Sequence, residues 1–449
     1  MPPGASGADP SVVGPYMFSL MQRNIATSGF VAADHNASVL PPAPGGFTTP
    51  GCILASPSWS VDGYSYPGNV APIAYDYAFN WTRDAAITVS VVLSQAPVQI
   101  PLEAATGILA NYVYFAQTCQ ASGNIGQAKY TPEGGATDAS DESDGPALRV
   151  LTILQGFADL DSQTQNVARN VITADLNYLL SNSQYQNPTV TLWEDTYGQS
   201  IFARAVQLRC LNQIIALGSG LDIPVPPTAQ SAATWLAQQL PSHWSSSSEF
   251  YVSVLDPIRL TGDPGAPYDP AIDPIMASLY GDGISFSDPK LLSTASHVRA
   301  QWTAGGAAPY PINAVDASNK RGPMVGRYLG DEYDGLSLTS DTGHPWAVCT
   351  CSLAQLYYEL ADSINNGTPV PNDPLAATFF SQIGVTTSDP APQVIVALRN
   401  AGDSMLNAVI YHSNKLELSE QFDQASGYEK SVSNLTWSYA AFLLAIAAR

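Results

Sequence analysis

Amphipathic helical patterns recur along most of this chain, while the period-two alternation of half-buried strands is scarce. Between Ser162 and Leu180, the side chains of Val167, Val171, Leu176, Leu179 and Leu180 form one apolar stripe opposite Asp and Asn, and Ser162 is placed to cap the segment. Ile201, Ala205, Leu208 and Ile215 repeat the pattern and stop at Gly218, a natural helix-ending glycine. The same periodicity predicts helices over residues 16–25, 84–93, 102–118, 147–160, 229–240, 287–301, 352–361, 392–406 and 435–447. A striped helix must bury its stripe. With ten to twelve of them and no sheet to pack on, the helices must cover one another, which points to an all-α barrel or toroid with its site built by loops at one end. The Pro-rich patches at 41–50, 224–227 and 369–374 are short and lie between helices, so residues 1–449 are expected to form a single domain.

Charge narrows the function. Seventeen Lys and Arg stand against 38 Asp and Glu, a formal charge of −21 that repels phosphate backbones and anionic lipid surfaces. No nucleic-acid or membrane partner is expected, and uncharged hydroxyl-rich polymers fit best. The cysteines, Cys52, Cys119, Cys210, Cys349 and Cys351, allow at most two internal disulfides, and none has metal-ligand spacing, so no metal is expected. The first residues lack the basic and apolar regions of a secretory signal. An acidic, Lys-poor composition and sequons at Asn36, Asn80, Asn366 and Asn434 nevertheless suit a secreted, glycosylated, monomeric protein whose signal has been removed.

Three clusters set carboxylates beside aromatic rings: Asn80-Trp81-Thr82-Arg83-Asp84, Leu192-Trp193-Glu194-Asp195, and Glu420-Gln421-Phe422-Asp423 followed by Leu435-Thr436-Trp437-Ser438-Tyr439. Sugars offer flat C–H faces to Trp and Tyr and fixed hydroxyls to Asp and Arg. Glycosidic cleavage needs one protonated and one ionised carboxyl group. A single cluster of this kind is more often a core Trp beside an exposed Glu.

Taken together, these stretches resemble the family 15 glycoside hydrolases, the fungal glucoamylases. The similarity includes residues 77–85, Asp144-Gly-Pro-Ala-Leu-Arg149, residues 192–202, Gly326-Arg-Tyr328, residues 345–350 and 420–441, in family order across roughly residues 17–449. The resemblance implies an (α/α)6 barrel and an inverting exo-acting α-glucosidase that releases β-D-glucose from the non-reducing ends of α-glucans, with no cofactor. A starch-binding module often follows in this family; with the sequence ending just after its last predicted helix, none is expected here. By the same resemblance Glu194 is the general acid and Glu420 the general base. Arg83 and Asp84 grip the terminal glucose, with Asp84 held ionised by its neighbouring Arg. Arg327 is a second sugar-binding arginine, and Asp195 holds the next sugar. Tyr77, Trp81, Trp193, Trp346 and Trp437 wall the pocket.

This chain also departs from the family pattern. Residues 131–143, where the family carries a Trp-Gly-Arg-Pro loop, contain no aromatic residue and no Arg. Their Glu133, Asp138, Asp141 and Glu142 are read as a solvated acidic loop in preference to a pocket altered for a cationic ligand. Thr191 stands where the family has Asp, Phe422 where Tyr is common, and residues 329–343 are expanded. These departures keep open a divergent member that binds or transforms a different ligand on the same fold.

Overall fold

The computed structural model describes residues 9–28, 48–57, 77–137, 139–335, 338 and 343–449. Its helices are α1 (Pro10–Gln22), α2 (Thr82–Ser94), α3 (Leu102–Ser122), α4 (Asp144–Gly156), α5 (Ser162–Leu180), α6 (Ile201–Leu217), α7 (Ala229–Gln239), α8 (Asp273–Tyr280), α9 (Pro289–Gln301), α10 (Pro311–Ser318), α11 (Ala347–Asn365), α12 (Ala377–Ser381), α13 (Ala391–His412) and α14 (Thr436–Ala447). Around the axis α2 packs on α4, α4 on α6, α6 on α8, α8 on α11, α11 on α14, and α14 back on α2. That inner ring is closed. Helices α1, α3, α5, α7, α9 and α13 cover it from outside, each against an inner neighbour, giving the (α/α)6 barrel, with α10 and α12 as short additions.

Sequence separates the two layers. The outer helix α5 buries one stripe, including Val171, Leu176 and Leu179, and turns its Asn and Gln residues outward. Inner α14, with the sequence TWSYAAFLLAIA, is apolar almost all round, and inner α11 buries Leu353, Leu356, Tyr357 and Leu360 completely. Each such leucine contributes roughly 1.5–3 kcal/mol when fully buried, so the ring is where the barrel's cohesion lies.

Helix ends differ from expectation in informative ways. Asp161, not Ser162, caps α5 by accepting the Thr164 N–H at 2.8 Å, because a carboxylate one residue earlier reaches the third amide. Gly218 ends α6 in a right-handed conformation, and the left-handed turn falls at Asp222, φ 55°. Helices α8, α10 and α12 were not predicted; with 8, 8 and 5 residues they are too short to show a stripe.

The strands are short: β1 (Asn80–Trp81), β2 (Lys129–Tyr130), β3 (Thr189–Val190), β4 (Thr196–Ser200), β5 (Trp244–Ser245), β6 (Phe250–Tyr251), β7 (Val254–Arg259), β8 (Gln421–Phe422) and β9 (Glu429–Lys430). All described pairings are antiparallel, with β1 on β2, β4 between β3 and β7, β5 on β6 and β8 on β9. Hairpin β3–β4 projects the loop 191–195, and β8–β9 begins just after Glu420.

One sequon is closed by the fold: Asn80 is buried, its Oδ1 accepting the Ile53 N–H at 3.0 Å. Asn434 is half-buried and accepts the Tyr439 hydroxyl at 2.5 Å. Asn366 is exposed at the end of α11, while Asn36 and Asp138 lie outside the described residues. All five cysteines are free and buried. Among the described residues no helix is long and apolar enough to cross a membrane.

Candidate active site

At the N-terminal ends of the inner helices lies a cavity of about 440 Å³. Tyr77, Trp81, Arg83, Asp84, Trp193, Glu194, Asp195, Arg327, Trp346, Glu420 and Trp437 all line it, so the fold gathers into one place the eleven residues that the resemblance assigned to the site. Arg83 and Asp84 enter from the first turn of α2, Trp346 from the N-cap of α11 and Trp437 from the first turn of α14.

Glu194 sits at the tip of the β3–β4 hairpin. Its backbone N–H donates to the Thr191 carbonyl at 2.9 Å and its φ is 60°, a left-handed conformation that a non-glycine residue adopts only where its surroundings enforce it. The turn aims the half-buried carboxylate at Trp81, whose indole Nε1 donates to Oε1 at 2.6 Å. Thr191, in place of the family's Asp, closes the hairpin loop through its N–H to the Thr196 carbonyl at 2.8 Å.

Glu420 is buried and receives two hydroxyl donors, Tyr77 at 3.0 Å on Oε1 and Ser431 on Oε2. Both hydrogen bonds favour the ionised form, as does the charge of Arg327. Burial outweighs them and lifts the carboxyl pKa to about 7.

Aromatic rings form the walls. Trp193 stacks on Trp437 at 5.9 Å, meets Trp346 edge-on at 5.4 Å, and donates its Nε1 to Asp273 at 2.9 Å. Arg327 lies over Trp346 at 4.8 Å and is held bidentately by Asp331 at 2.8 and 2.6 Å. Its Nη1 reaches Asp195 at 3.7 Å, and Asp195 also accepts the Tyr328 hydroxyl. Burial raises the pKa of Asp195 despite that arginine.

Two expectations about charge are corrected. Arg83 does not hold Asp84 ionised. Its guanidinium turns away to Asp144, at 2.7 Å, and to Glu142, and burial lifts Asp84 to about 7 against the attraction of Arg83. Consecutive helix residues project about 100° apart and cannot face each other. Nor is the 131–143 segment wholly a solvated acidic loop: Glu142 is buried against Arg83, while Asp141 accepts a hydrogen bond from Asn124.

Sequence reasoning missed Lys129, Arg259, Tyr328, Glu332 and Tyr333 on the cavity wall, and Ser431 behind Glu420. Lys129 sits 5.0 Å from both the Phe79 and Trp81 rings because β1 and β2 pair Trp81 with Lys129. Tyr328 directly follows Arg327, so its motif carried a usable signal; Arg259, on β7, had none.

A helical double barrel with two glutamates facing one aromatic, arginine-bearing cavity at its loop end defines a glycoside hydrolase. The chain belongs to the glycosyl hydrolases family 15, whose family model matches residues 46–447. It is 26% identical to a probable glucoamylase of Schizosaccharomyces pombe, over 95% of this chain and 88% of that protein. It is 25% identical to a Saccharomycopsis fibuligera glucoamylase over 89% and 84%, and 24% identical to an intracellular sporulation-specific glucoamylase of Saccharomyces cerevisiae over 88% and 78%. Among solved structures, the Saccharomycopsis fibuligera glucoamylase superposes with a TM-score of 0.78 at 21% identity, covering 100% of this chain and 96% of that one. The Hypocrea jecorina family 15 glucoamylase gives 0.75 at 23%, covering 98% and 71%.

Proposed function

We propose that this glycoside hydrolase is an inverting, exo-acting α-glucosidase that releases β-D-glucose from the non-reducing ends of α-glucans. The observation that carries the reading is the unlike setting of its two glutamates on one cavity. Glu194 stands on a strained turn with one oxygen engaged by Trp81, and Glu420 is fixed by two hydroxyl donors.

Glu194 protonates the glycosidic oxygen as its bond to the anomeric carbon breaks, and that oxygen leaves with the bonding pair. Glu420 takes a proton from a water that attacks the same carbon from the opposite face, which inverts its configuration. Asp84 and the remaining N–H of Arg83 bind hydroxyls of the terminal ring, Arg327 and Asp195 meet the next sugar, and the Trp and Tyr walls stack on C–H faces. Relatives named glucoamylases along most of the chain support the substrate class.

Glucose release from maltose, isomaltose and soluble starch, measured beside Glu194→Gln and Glu420→Gln, tests the assignment. Each variant should keep its fold and lose roughly 10²-fold or more in kcat. A variant with native kcat removes that residue from the mechanism.

A further inference from the structure

We propose that Glu142 is a positioning residue that fixes the guanidinium of Arg83 and, through it, the turn presenting Glu194. The kinetic consequences rest on the hydrolase reading above; the positioning itself does not.

A guanidinium has five N–H donors in a rigid fork. Arg83 gives its Nε–H to Asp144 Oδ2 at 2.7 Å and one Nη1–H to the Leu192 carbonyl at 3.2 Å, while Nη2 reaches Glu142 Oε2 and, at 3.4 Å, Asp144 Oδ1. One Nη1–H is left for the cavity. Asp144 grips a single edge of the fork, and Glu142 takes the remaining Nη2 hydrogen, which closes off rotation of that edge. The Leu192 carbonyl belongs to the loop whose tip is Glu194, two residues on, so the setting of Arg83 is passed directly to the hairpin.

Glu142 is itself tied to the same hairpin. Its N–H donates to the Gly126 carbonyl at 2.8 Å, and the next residue, Ser143, donates its N–H to Thr189 Oγ1 on β3 at 3.0 Å. Its other oxygen, Oε1, is buried without a partner. A half-satisfied buried carboxylate costs stability, so packing alone gives no reason for an acid here. The segment that lacks the family's aromatic loop thus supplies a carboxylate clamp.

The test compares Glu142→Ala and Glu142→Gln with the native protein on maltose, alongside the ¹⁵N signal of the Arg83 Nε–H, assigned by its loss in Arg83→Lys. In E142A, kcat falls about tenfold to 10²-fold, more than KM rises, as for a misplaced reacting group, and the Arg83 signal broadens or shifts. E142Q, whose amide oxygen still accepts from Nη2, restores most of kcat and the native signal. A native Arg83 signal in E142A, or an E142Q variant with an Arg83 signal as disturbed as that of E142A, overturns the proposal. If E142A does not fold, E142Q decides alone: a native Arg83 signal supports the clamp and a disturbed one overturns it. If the native protein hydrolyses no α-glucan, the function proposed above fails while the Arg83 signal still judges this one.

Discussion

Trp81 and Glu194 are 113 residues apart in sequence, yet the indole N–H of one donates to the carboxylate of the other at 2.6 Å. The contact joins β1, which leads into α2, to the tip of the β3–β4 hairpin and leaves Oε2 of Glu194 for the proton transfer proposed above. Trp81→Phe keeps a ring on the wall and removes the donor. Negative charge develops on Glu194 as its proton leaves, and a hydrogen bond to a charged group contributes about 1.5–3 kcal/mol, so kcat should fall about tenfold or more with a smaller change in KM. Steady-state kinetics on maltose checks this; an unchanged kcat would mean that the indole only packs.

As the proposed general base Glu420 must be ionised to accept a proton, and burial lifts its pKa to about 7. Activity as kcat/KM should therefore decline as pH falls through about 7. The Tyr77 and Ser431 hydroxyls stabilise the ionised form, so Tyr77→Phe and Ser431→Ala should each move that limb to higher pH. A limb that stays fixed or moves to lower pH in both variants contradicts the hydroxyls' role.

Stability should depend on pH in a direction set by buried carboxyls. Asp84, Asp273, Glu420 and Glu429 each rise to about 7, chiefly through burial. The folded protein holds these protons more tightly than the unfolded chain. The stability they confer is full below the unfolded carboxyl range near pH 4, and is lost as pH rises through about 7. His243, lowered to about 4 by burial, works in the opposite sense as pH falls below about 6.5. Burial also raises Glu142, Asp175, Asp195, Asp269 and Glu359, and it lowers His344 as it does His243. The raised carboxyls outnumber the lowered imidazoles and set the sign, so Tm should be higher at about pH 5.5 than at about pH 8. A Tm that climbs over that interval contradicts these settings.

Much of this architecture was legible because helical periodicity is a local property, and a run of amphipathic segments without strands leaves few ways to close a core. The inner helices were harder to delimit. Residues 352–361 were predicted where α11 runs from Ala347 to Asn365, since a helix buried on every side has no polar face to mark its ends. Eleven of the cavity residues were legible through motif resemblance, but the contacts of Arg83 with Glu142 and of Glu420 with Ser431 were not. Glu142 reads as surface because the arginine that buries it is 59 positions away. Asp84 reads as Arg83's partner because adjacency in sequence hides the angular step of a helix. Ser431, 11 residues after Glu420, meets it only because hairpin β8–β9 folds the chain back.

In the proposed reaction Glu194 and Glu420 act as acid and base on opposite faces of one sugar. Proton NMR of maltose hydrolysis, recorded before mutarotation, reads that geometry directly from the anomer formed first. β-Glucose should accumulate first, and this signal should disappear in Glu420→Gln; initial α-glucose would contradict the assignment of acid and base.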